Sequence, residues 1–187
     1  LLGLGSNLVI LGAAGMGKSR LLDQLVVDSA KFVTAQRLIN ATDPAKLVGD
    51  ARWLLIDALD EASAFKQGEA VNLALSRIEQ AGVPQFVLSC RAEDWQAATS
   101  RSLIAETFGA YPIEMTLKPL FDDQILAYLA DELGHEKAVS VEAEYRKLGL
   151  TEWLGNPQTL LMVAEVIKQG RSPHSTMCRC PRSACTA

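Results

Sequence analysis

A chain of 187 residues and 20.2 kDa has room for one compact domain, or for one domain and a small appendage. Hydrophobic residues at 49% against 21% charged exclude disorder over most of the length, and no run of eighteen uninterrupted apolar residues is there to span a membrane. Eighteen Lys and Arg against twenty-two Asp and Glu leave a net charge of −4, which argues against nucleic acid as a generic partner, a local basic patch aside.

The chain opens on Leu1-Leu2-Gly3-Leu4-Gly5, with no charged n-region, no small-residue cleavage site and no initiator Met. It is expected to be a piece of a longer chain and to carry no signal peptide. Short apolar runs then alternate with helix-like segments, the pattern of βα units on a parallel sheet. The runs are Asn7 to Leu11, Lys31 to Ala35, Trp53 to Ile56, Gln85 to Ser89 and Ile113 to Leu117. Between them, Lys18 to Ser29 and Glu69 to Ala81 read as helices, the second with Val71, Ala74, Leu75 and Ile78 on one face and Gly82 as its stop. A further helix is expected over Gln96 to Phe108. Beyond Pro119 helical patterns follow one another without a strand: Phe121 to Leu133, Val141 to Lys147, and Pro157 to Lys168, the last capped by Asn156 and stopped by Gly170. Periodicity vanishes from about Arg171.

Four cysteines are unevenly spread. Cys90 stands alone in an apolar run and reads as a small buried hydrophobe. Cys178, Cys180 and Cys185 crowd the end without paired CxxC spacing, so a disordered tail over 171–187 is the preferred reading over a metal site. An internally Cys-poor chain fits a reducing, cytoplasmic compartment. His135 and His174 have no partner at useful spacing and are expected on the surface.

The strongest motif is Gly12-Ala13-Ala14-Gly15-Met16-Gly17-Lys18-Ser19, a full match to G-x-x-x-x-G-K-[ST] between an apolar strand and a helix. Glycines let the backbone turn tightly and aim successive N–H groups at phosphate oxygens. Lys18 is expected to bridge the β- and γ-phosphates, Ser19 to offer its hydroxyl to Mg²⁺, and Arg20 to lie at the same helix start. The competing reading is a glycine-rich turn beside an ordinary surface lysine. The second motif is Trp53-Leu54-Leu55-Ile56-Asp57-Ala58-Leu59-Asp60-Glu61. Asp57 falls at the carboxyl tip of a buried strand, where a carboxylate can hold the magnesium water shell opposite Ser19. Asp60 or Glu61 can orient or deprotonate the water that attacks the γ-phosphate. Here the competing reading is a solvated acidic loop that caps the next helix. Third, Arg91 follows the strand Phe86-Val87-Leu88-Ser89-Cys90 and can reach the same phosphate end, unless it is a capping or surface arginine. These readings add up to an α/β P-loop NTPase core over 1–118, with a parallel sheet flanked by helices, and a small all-helical subdomain over 119–170.

Taken together the motifs resemble the NACHT group of STAND signal-transduction NTPases. The residues are the phosphate loop, the spaced acids Asp57, Asp60 and Glu61, the strand ending Ser89-Cys90-Arg91, Leu117-Lys118-Pro119-Leu120 with Asp122-Asp123-Gln124-Ile125, and Gly155-Asn156-Pro157. The resemblance covers about residues 5 to 170. It implies ATP or ADP with Mg²⁺ as ligands, Arg91 as a sensor of the γ-phosphate, and Pro157 against the adenine base. It further implies a switch that is ADP-bound and closed at rest and ATP-bound and self-associating when triggered, with effector, winged-helix and sensor domains beyond the recognisable pattern. Two alternatives differ in chemistry: a nucleotide-gated scaffold with little hydrolysis, and an AAA-type ATPase acting on nucleic acid.

Overall fold

The computed structural model describes residues 6–57, 69–82, 85–95 and 97–170. The chain divides into two compact units, Leu1–Lys118 and Pro119–Ala187.

The first unit carries an all-parallel five-stranded sheet: β1 (Leu8–Leu11), β2 (Ala30–Thr34), β3 (Trp53–Asp57), β4 (Gln85–Cys90) and β5 (Ile113–Thr116), in the spatial order β2-β3-β4-β1-β5. Parallel strands covered on both faces lose their polar alternation. The three central strands β1, β3 and β4 are accordingly buried along nearly their whole length, while the edge strands β2 and β5 carry exposed positions. The strand expected at Lys31 to Ala35 begins one residue earlier. It ends at Thr34, whose hydroxyl accepts the Arg37 N–H and starts the short helix α2 (Ala35–Ile39).

Order and handedness distribute the helices. From β1 the chain crosses to the far edge at β2, then returns strand by strand to β4 and passes over β1 to β5. Right-handed crossovers running in opposite directions place their helices on opposite faces. Helix α1 (Lys18–Gln24) covers one face, with Leu22 packed among Leu8, Ile10, Trp53, Leu55 and Val87. The other face is covered by α2, α3 (Pro44–Val48), α4 (Glu69–Gln80) and α5 (Ala97–Phe108). Val71, Ala74, Leu75 and Ile78 of α4 all enter that core, as their spacing predicts, and Cys90 is fully buried within it. Helix α1 is shorter than the expected Lys18 to Ser29, because Val26 and Val27 are about half exposed and offer no buried face to extend it.

One polar cluster sits on the multi-helix face. Glu114 of β5 points into it, where the guanidinium of Arg101 grips both carboxylate oxygens and the Trp95 indole N–H donates to Oε1 at 2.9 Å. A carboxylate on an apolar sheet face is costly unless paired in this way.

The second unit contains α6 (Asp122–Leu133), α7 (His135–Lys147), α8 (Thr151–Leu154) and α9 (Pro157–Lys168), with no strand among its described residues. Its own core gathers Ile125, Leu129, Val141, Tyr145, Leu154, Leu160 and Val163. Phe121 is 68% exposed and precedes α6, so the four-residue apolar stripe contributes to the core only from Ile125 onward. Helix α7 begins six residues before the expected Val141. Gly134 at φ 86° breaks it from α6, and exposed His135 to Lys137 form its solvated first turn.

The Arg101 hydrogen bonds hold the Glu114 carboxyl below its usual range, outweighing the opposing effect of burial. A depressed folded-state pKa contributes stability above the unfolded value near about 4.3, and that contribution is lost as pH falls through the folded value. The urea midpoint of wild type should therefore fall more steeply than that of Glu114→Gln between about pH 5 and pH 3. Parallel pH dependences would exclude this linkage.

Candidate functional site

The site is built where the sheet ends. Strand register places Ile10 beside Ser89 and Leu88 beside Ile56, so that Ser89 and Asp57 fall on one row across the carboxyl edge, with Thr34 beyond them. Side chains alternate along each strand. Leu8 and Ile10, Trp53 and Leu55, and Val87 face α1, and the same parity turns Asp57 and Ser89 toward α1. The Ser89 hydroxyl donates to Asp57 Oδ1 at 2.6 Å, with Ser89 fully buried and Asp57 7% exposed. A short bond from a hydroxyl to a carboxylate fixes the acid and offsets part of its desolvation.

Strand β1 ends at Leu11 and the glycine-rich segment turns over this edge. Gly12 is held close to the residues around it: a Cβ there would stand 3.3 Å from Leu117 Cβ and 3.5 Å from Met16 Cβ. Gly15 and Gly17 adopt φ 77° and 83°, in the left-handed region that costs an L side chain about 1–2 kcal/mol. Gly17 then caps α1, whose first residues are Lys18, Ser19 and Arg20. Lys18 is buried, and its ammonium donates to the carbonyls of Gly12 at 2.9 Å and Ala13 at 3.0 Å. The lysine is therefore folded back over the loop rather than spread on the surface, which removes the reading of it as an ordinary surface side chain. Met16 is buried, Ala13 and Ala14 are exposed, and Ser19 and Arg20 are exposed on the first turn of α1.

Strand order settles how these pieces relate. β4 lies between β1 and β3, so the acid and the loop are separated by one strand, about 10 Å between the outer two backbones. The chain leaves β1 toward one edge and leaves β4 toward the other. Open α/β sheets bind ligands at such a reversal, outside the carboxyl ends of the strands. Arg91 is the first residue after β4, half-buried, 3.8 Å from Glu93 in the same turn.

Gly12 to Ser19, Asp57 and Arg91 thus come to one edge of one sheet. Asp60 and Glu61 lie outside the described residues, as does the 171–187 tail. Pro157 belongs to the second unit. There it is the first residue of α9, behind Asn156, whose side chain accepts the N–H groups of Gln158 and Thr159 at 3.0 and 3.4 Å. Gly155 is fitted tightly in the same unit: its carbonyl accepts the Leu120 N–H at 2.8 Å, and a Cβ on it would stand 3.1 Å from Pro119 Cβ.

Two polar residues fix the sheet, although the sequence motifs give neither a role. Ser89 holds Asp57, and Asn7 at the other end of β1 accepts the Phe86 N–H at 3.0 Å through its buried Oδ1, locking β1 to β4. Each is a polar residue interrupting or beginning an apolar run, and that interruption is the signal by which either is found.

Ser89→Ala should lower stability by about 1.5–3 kcal/mol, because it strips a donor from a buried carboxylate; equilibrium urea unfolding measures this, and an unchanged midpoint would contradict it. Gly17→Ala has open space around the new methyl group and φ alone against it, so its cost should be about 1–2 kcal/mol on the same measurement.

No protein-family model matches the chain, and no curated protein compared with it is similar enough to match.

Proposed function

We propose that the chain is a P-loop NTPase module of NACHT-type STAND character, which binds ATP and ADP with Mg²⁺ and hydrolyses ATP slowly as a cytoplasmic switch. The observation that supports this best is the coincidence of a full phosphate-loop sequence, its lysine bonded over the loop, and a buried acid on the same sheet edge and face. Positive-φ glycines turn the loop amides inward for phosphate oxygens. Lys18 keeps one of its three donors beyond the two bonded to Gly12 and Ala13, and that donor suits a phosphate oxygen.

The donor set also suits a hard divalent cation. The described residues hold no cluster of three or more acid, His or Cys side chains. One carboxylate, Asp57, and one hydroxyl, Ser19, fit magnesium, which keeps waters and substrate phosphates as its remaining ligands. When bound, Mg²⁺ neutralises charge on the phosphates. The chain's own residues then do the rest. Loop amides and Lys18 grip the β- and γ-phosphates, Ser89 keeps Asp57 in one orientation, and Arg91 stabilises charge that develops on the γ-phosphoryl group. Asp60 or Glu61 orients the attacking water in this reading. In a longer parent the exchange of ADP for ATP would govern self-association, with the effector and sensor in other domains.

Lys18→Ala should weaken Mg-ATP binding about 10- to 10²-fold, the worth of one charge-assisted contact at about 1.5–3 kcal/mol. Isothermal titration calorimetry checks this against a circular-dichroism control for folding. A folded mutant that binds as tightly as wild type would end the phosphate-loop reading.

A further inference from the structure

We propose that Ser89 is a positioning residue that selects the divalent cation of this site: its hydroxyl engages Asp57 Oδ1, so that the acid presents one fixed oxygen, which suits Mg²⁺ and disfavours Ca²⁺. The proposal rests on the nucleotide reading above and deepens it, from the binding of a cation to the choice between two.

The sheet itself holds the pair. Strand β3 lies between β2 and β4, and β4 between β3 and β1, so neither backbone shifts without disturbing two ladders. The register that sets Leu88 beside Ile56 carries on to Ser89 beside Asp57, and both side chains are buried there. Because β4 separates β3 from β1, Ser89 stands on the phosphate-loop side of Asp57. The 2.6 Å bond therefore turns the carboxylate toward that side and keeps it there. A serine hydroxyl has one proton, and here it is given to Oδ1. A cation that took both Asp57 oxygens would have to compete with that proton and swing the carboxylate off it.

The two cations ask different things of an acid. Ca²⁺ gathers six to eight oxygens at about 2.3–2.6 Å and readily takes both oxygens of one carboxylate. Mg²⁺ demands a near-ideal octahedron at about 2.0–2.1 Å, where the two close oxygens of one carboxylate fit poorly, and it keeps waters and substrate phosphates as its other ligands. One oxygen in a fixed direction, with the Ser19 hydroxyl and the phosphates, meets the second demand. Without the Ser89 hydroxyl, Oδ1 is released for the second contact that Ca²⁺ accepts. A hydroxyl that only relieves the desolvation of a buried acid would instead affect both cation complexes alike, so the ratio between cations separates the two roles.

Wild type, Ser89→Ala, Ser89→Cys and Ser89→Thr are titrated with a fluorescent ADP analogue in EDTA, in saturating Mg²⁺ and in saturating Ca²⁺, with circular dichroism to check folding. Cysteine fills the site but lacks a strong donor, and threonine keeps the hydroxyl. In wild type, Mg²⁺ should tighten binding about tenfold more than Ca²⁺ does, the lower end of what one hydrogen bond to a charged group contributes. Ser89→Ala and Ser89→Cys should bring the two cations within about twofold of each other, and Ser89→Thr should keep most of the wild-type ratio. A wild-type ratio retained in Ser89→Ala would overturn the selecting role and leave the hydroxyl a structural one. A threonine that loses the ratio as alanine does, or wild type that accepts Ca²⁺ as well as Mg²⁺, would overturn it too. Wild type that binds no analogue under any of the three conditions would overturn the nucleotide reading itself. Ser89→Cys keeps the test decisive if Ser89→Ala does not fold.

Discussion

Strands β1, β3 and β4 have helices or neighbouring strands on every side, and a polar side chain within them has no water to turn to. An unpaired buried carboxylate or amide costs several kcal/mol by order of magnitude, so each must be bonded or moved to an end. The arrangement follows this rule. Asn7, at the amino end, is bonded to the Phe86 amide; Asp57 and Ser89, at the carboxyl edge, are bonded to each other; Lys18, just beyond, is bonded to loop carbonyls. Desolvation thus accounts for the place of three of these polar groups, Lys18, Asp57 and Ser89, at the carboxyl edge, and the loop after β1 passes over that edge.

Strand β4 is the hub of this arrangement. It pairs with β1 on one side and β3 on the other, and it directs Ser89 to the α1 face and Cys90 to the opposite face. Its exit carries Arg91, then Trp95, then α5 with Arg101. The Asp57–Ser89 pair and the Glu114–Arg101–Trp95 cluster lie on opposite faces of the same sheet. One fixes a carboxylate that faces the proposed crevice, and the other ties Trp95, which follows β4, to α5 and β5.

The second unit is held by different means. Its helices are amphipathic and close around Leu129, Tyr145, Leu154 and Leu160, with burial raising the Tyr145 phenol pKa. The Gly155-Asn156-Pro157 segment is a helix start made by a capping amide and a pre-set proline φ. It is pinned to the 119–120 segment by a main-chain hydrogen bond and a contact too close for a side chain on Gly155. Local capping chemistry accounts for that geometry without a ligand.

Much of this was legible from local pattern. Full burial leaves continuous apolar runs, so β1, β3 and β4 stood out, and helix α4 stood out by its 3.6-residue spacing. The misses share a cause. The five-residue helices α2 and α3 are too short for periodicity and are set by the caps Thr34 and Asp43, while Val26 and Val27 are apolar without being core. Composition and spacing determined the parallel α/β architecture, the glycine-rich turn before Lys18, and an acid at the tip of β3. Tertiary structure alone decided that β4 separates that acid from the loop, that Ser89 grips Asp57 from thirty-two residues away, and that Trp95 finds Glu114 nineteen residues on. Those pairings depend on which strands lie side by side and in what register, and long-range pairing leaves no period in the chain for a local reading to detect.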